Sequence, residues 1–76
     1  MAGMRRRKIA ANKLVFGRDT ILQAIVELEN GVATKFYPFD GEEENTEWLG
    51  GTIRLSRVDG ILKAFKDGIN IVDIKD

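Results

Sequence analysis

The sequence predicts a mostly β fold: a small β-sandwich or β-roll, with a bulged hairpin at residues 20–39 and one short C-terminal helix. From Ile21 to Glu29 the residues alternate with the period of two that marks a half-buried strand. Asn30-Gly31 follows directly, the strongest short-range hairpin signal. The chain has 76 residues, 43% hydrophobic and 32% charged, a balance that suits one small globular domain over residues 1–76.

The elements can be taken in order. Arg7 to Phe16 reads as one strand or two short ones, closed by a turn at Gly17-Arg18-Asp19. Ile9 and Val15 are β-branched on one parity, while Leu14 and Phe16 are apolar on the other. Such mixed parity predicts a strand covered on both sides or a break near Asn12. In the next strand Leu22, Ala24, Val26 and Leu28 form the inner face, opposite in parity to Ile21, Gln23, Ile25, Glu27 and Glu29.

The hairpin register follows from matching apolar faces. A two-residue loop at Asn30-Gly31 sets Glu29 opposite Val32 and Glu27 opposite Thr34, placing acids beside apolar groups. A three-residue loop Glu29-Asn30-Gly31, with Gly31 left-handed in a bulge, sets Leu28 opposite Val32, Val26 opposite Thr34 and Ala24 opposite Phe36. A one-residue slip turns every side chain to the other face, so the bulged loop is the expected register.

Pro38 closes the hairpin because it has no N–H for a ladder. Asp40 to Asn45 reads as an acidic surface loop. Thr46–Leu49 and Thr52–Leu55 read as short strands around Gly50-Gly51. Val58, Ile61, Leu62 and Phe65 fall at i, i+3, i+4 and i+7, with Ser56 as N-cap and Gly68 as the stop, which predicts a helix near residues 57–67. Gly60 weakens that helix, and a strand from Ile61 to Lys66 is its rival. Ile69 to Ile74 is strand-like.

Composition excludes much chemistry. Lys plus Arg and Asp plus Glu are 12 each, so the formal net charge is zero. Without cysteine there are no disulfides, thiol nucleophiles or Cys-based zinc sites. Without histidine the commonest general base and metal ligand are missing. No catalytic, metal or cofactor-binding residue is assigned, and the expectation is a protein that is not an enzyme. No apolar run exceeds three residues, and Asn12 and Lys13 interrupt the stretch after the basic run Arg5-Arg6-Arg7-Lys8 before it can form an export signal. The expected location is cytoplasmic, with no membrane partner.

Taken together, Lys8-Ile9-Ala10-Ala11-Asn12-Lys13-Leu14-Val15, Val26-Glu27-Leu28-Glu29-Asn30-Gly31-Val32 and Thr46-Glu47-Trp48-Leu49-Gly50-Gly51 resemble the start of metal-dependent amidohydrolases. Lys66 to Asp73 is loosely similar to that family's C-terminal return. The resemblance implies the small β-sandwich, or composite domain, that packs beside the catalytic barrel. After Leu55 the family would give Pro-Gly and the metal histidines, whereas this chain has Ser56-Arg57-Val58-Asp59. None of the family's metal ligands or catalytic acids carries over.

Two function classes follow. The first is a non-catalytic structural or protein-interaction module resembling that composite domain, pairing with itself as a homodimer or with another protein. Its contact residues would be Ile21, Ile25, Tyr37 and Trp48, or the strand edges at Arg7–Phe16 and Ile69–Ile74. The alternative is a small nucleic-acid-binding β domain using Arg5, Arg6, Arg7, Lys8 and Lys35, with Tyr37 beside them, although zero net charge is the wrong electrostatic footprint. Glu42, Glu43, Glu44 and Glu47 lack the ligand spacing of a calcium loop and read as a solvated run. Asp59-Gly60 and Asp67-Gly68 read as turn or cap chemistry.

Overall fold

The computed structural model describes residues 6–39, 41 and 46–73. The fold is mostly β. Strands β1 (Arg6–Phe16), β2 (Asp19–Glu29), β3 (Val32–Pro38), β4 (Thr46–Trp48), β5 (Thr52–Val58), β6 (Ile61–Lys66) and β7 (Ile69–Asn70) precede a 3-10 turn at Ile71–Asp73. They form one seven-stranded sheet in the order β3-β2-β1-β5-β6-β7, with β4 also paired to β1. Both β4 and β5 run parallel to β1, one after the other along the same edge; the remaining pairings are antiparallel. The sheet rolls until β3 approaches β6 across the core. Ile9, Leu14, Val26, Leu28, Ile53, Leu55 and Ile71 fill that core, together with four alanines.

The break expected near Asn12 is present, and it is shared by β2. Between Ala11↔Ala24 and Lys13↔Leu22 the ladder skips Asn12 and Gln23, and Gln23 has a φ of 54°. Both strands exchange faces there. Ile9 and Ala11 point into the core before the break, Leu14 and Phe16 after it; Ala24, Val26 and Leu28 are core on one side of Gln23, and Ile21 packs on the core on the other. Leu22, expected on the inner face, is therefore turned outward and is 68% exposed. The Gln23 carbonyl accepts the Phe39 N–H at 2.6 Å, which holds the irregular backbone in place.

The hairpin register is corrected. Asn30 and Gly31 both have positive φ, as a two-residue type I′ turn requires, and Glu29 lies opposite Val32. Leu28 pairs with Ala33, not Val32. The slip is absorbed further along, because Glu27 pairs with Lys35 and leaves Thr34 as the extra residue of a bulge. Beyond it Val26 faces Phe36 and Ala24 faces Pro38. Apolar residues still oppose one another, but Ala33 and Phe36 take the places expected for Val32 and Thr34, through a bulge inside β3 rather than at the turn. The Thr34 hydroxyl donates to the Glu27 carbonyl across the bulge at 3.3 Å.

The expected helix at residues 57–67 is absent. Asp59, at φ 54°, and Gly60 form a second two-residue turn between the paired Val58 and Ile61, and a helix cannot run through two left-handed residues. The rival strand Ile61–Lys66 is the observed element. Leu55 and Ala64 alternate into the core as strand residues. The strand-like Ile69 to Ile74 contracts to Ile69–Asn70 plus the 3-10 turn, and Ile74 lies outside the described residues.

Candidate functional site

The outer face of β1–β4 gathers most of the residues singled out above. One row crosses four strands: Tyr37, Ile25, Ala10 and Trp48 are successive register partners on β3, β2, β1 and β4. Beside it runs a charged row of Lys35, Glu27, Lys8 and Thr46. Glu29 and Arg6 pair in the row beyond. Cationic β1 and β3 positions thus flank an acidic β2, and opposite charges on adjacent strands attract.

The proposed contact residues divide. Ile25 is fully buried and Ile21 packs against the core, so neither offers an exposed surface, and Ile21 lies on the other face. Tyr37 is half-buried, and its hydroxyl donates to Glu27 Oε2 at 2.6 Å. Trp48 is 59% exposed on β4, which among the described strands pairs only with β1. The Arg7–Phe16 edge is unavailable, because β1 is central, with β2 on one side and β4 and β5 on the other.

The basic residues converge. Arg6, Arg7, Lys8 and Lys35 line one groove, with Glu27 and Glu29 between them. Lys35 is distant in sequence and arrives through the β2–β3 hairpin. Arg7 is engaged by Glu47, its Nη2 and Nε reaching the two carboxylate oxygens at 2.7 and 2.9 Å. That bidentate bond, chiefly through the hydrogen bonds, holds the Glu47 carboxyl below the usual carboxylate range. The sequence reading missed Glu27 and Glu29 as members of the groove; strict alternation along β2 already set them on one face.

Arg5 and Glu42, Glu43 and Glu44 lie outside the described residues. Among the described residues no three acidic side chains gather as a metal site requires, and no helix is long and apolar enough to cross a membrane. A second hollow, between Arg54, Phe65 and Asp67, contains none of the residues expected to contact a protein or nucleic acid.

No known protein family, curated protein or solved structure matches the chain. The functional reading therefore rests on the chain's own chemistry.

Proposed function

We propose that the chain is a non-catalytic structural or protein-interaction module of the kind exemplified by the amidohydrolase composite domain, with a second copy of itself as its first partner. The exposure of Trp48 carries this reading. Tryptophan dominates protein interfaces when buried on binding, and here it stands on a three-residue edge strand. Zero net charge leaves no long-range repulsion between copies. The lack of histidine and cysteine supports a non-catalytic role.

Trp48 is the only tryptophan, so its emission reports on this surface alone. Sedimentation equilibrium at tens of micromolar should give twice the 8.5 kDa of one chain, with a blue-shifted emission on association. Trp48→Lys should restore the monomer. A single 8.5 kDa species whose emission does not change with concentration overturns self-association.

A further inference from the structure

We infer that the groove between Arg6, Lys8 and Lys35 binds the phosphodiester backbone of a single-stranded nucleic acid. This goes beyond the module reading and does not depend on Trp48. With Arg7 matched by Glu47, the cations Arg6, Lys8 and Lys35 gather there around Glu27 and Glu29, a cationic cluster on a chain that is neutral overall. One carboxylate is already engaged, since Glu27 accepts the Tyr37 hydroxyl. Among the described residues, Arg6 and Lys35 take part in no ion pair although each has a glutamate as its register partner.

Spacing favours an extended polyanion over a single ion. Lys8 on β1 and Lys35 on β3 lie two strand spacings apart, about 10 Å, and Arg6 stands two residues further along β1. A lone phosphate bridges such a gap poorly, whereas a chain of phosphates crosses it. Tyr37 follows Lys35 on the same face of β3, so an aromatic ring adjoins the cations, the pairing of backbone charge and base stacking that single strands use. An acidic peptide has no base to stack.

The test is a fluorescence-anisotropy titration of the full chain with a labelled single-stranded oligonucleotide over a tenfold range of salt. Two to three phosphate contacts give a log–log slope of about −1.4 to −2.1, a loss of roughly 25- to 130-fold across that range. Lys35→Gln should weaken binding and reduce the slope by about 0.7. Arg18→Gln, in the turn at the far end of β1 from Arg6, should change neither. Circular dichroism verifies that both variants are folded. No salt-sensitive binding, equal loss in both variants, or equally tight binding of polyglutamate or inorganic phosphate each overturns the inference.

Discussion

The side-chain oxygen of Asn12 accepts the Gly51 N–H at 2.7 Å, tying the break in β1 to the corner where β4 gives way to β5. Around this bond the Lys13 N–H donates to the Gly51 carbonyl at 3.1 Å, and Leu49 N–H donates to the Ala10 carbonyl at 2.9 Å. Asn12 thus lets a single strand, β1, hold two successive parallel partners along one edge.

Removing that acceptor should be felt across the sheet. Asn12→Ala hands the exposed Gly51 amide to water and should cost about 0.5–1.5 kcal/mol, while Asn12→Asp, which keeps the acceptor, should cost less. Gly51→Ala should also destabilise. Its φ is 66°, and an added Cβ would lie 3.0 Å from Lys66 Cε, although the end of that flexible side chain can move. Urea denaturation of the three variants checks the ranking.

Gly31 is the second sensitive position. At φ 82° a β-branched side chain is badly strained, and an added Cβ would sit 3.2 Å from Val72 Cγ1. Gly31→Val should cost more than Gly31→Ala, with the alanine variant losing about 1 kcal/mol or more. Equal midpoints for wild type and Gly31→Val in thermal denaturation would contradict the turn geometry.

The limits of the sequence are physical and local. Mixed parity around Asn12 leaves two readings, a strand covered on both sides or a break, because a strand's two faces show in its apolar pattern; the break is the one present. Its counterpart at Gln23 left no such mark, since glutamine has no left-handed preference and its carbonyl is held by distant Phe39. Asp59-Gly60 and Asp67-Gly68 carry the same turn chemistry as Asn30-Gly31, but the apolar spacing of Val58, Ile61, Leu62 and Phe65 also matches a helix face. In the 20–39 hairpin, parity groups Ala24, Val26 and Leu28 on one face, but it shows neither the face exchange at Gln23 nor where the extra residue of β3 sits. The groove required tertiary pairing, because only the β2–β3 register brings Lys35 to the side of Lys8 and Arg6.

The face exchange at Gln23 makes a direct contrast. Leu22 is largely solvent-exposed and Leu28 is buried, although simple alternation puts both inside. Leu22→Lys should stay within about 0.5 kcal/mol of wild type. Leu28→Ala should lose about 2–5 kcal/mol through lost burial and the cavity left behind. Similar losses at both positions in chemical denaturation would show that β2 keeps one face throughout.

Acid titration should expose the Arg7–Glu47 pair. A carboxyl whose pKa is lower folded than unfolded stabilises the fold at pH values above the unfolded value, about 4.3 for glutamate. That contribution declines as pH falls through the lowered folded value and is gone below it. Glu47 follows this sign, since its carboxyl is held down chiefly by the Arg7 hydrogen bonds. Both side chains remain partly open to water, at 31% and 45% exposure, so the pair should contribute only about 0–1 kcal/mol. Glu47→Gln should therefore be slightly less stable than wild type at pH 7, and the two should converge as the pH is lowered below 4.3. High salt should shrink the gap at pH 7 as well, because partly exposed charges are screened. A gap that persists unchanged at pH 2.5 would place the role of Glu47 in packing rather than in its charge.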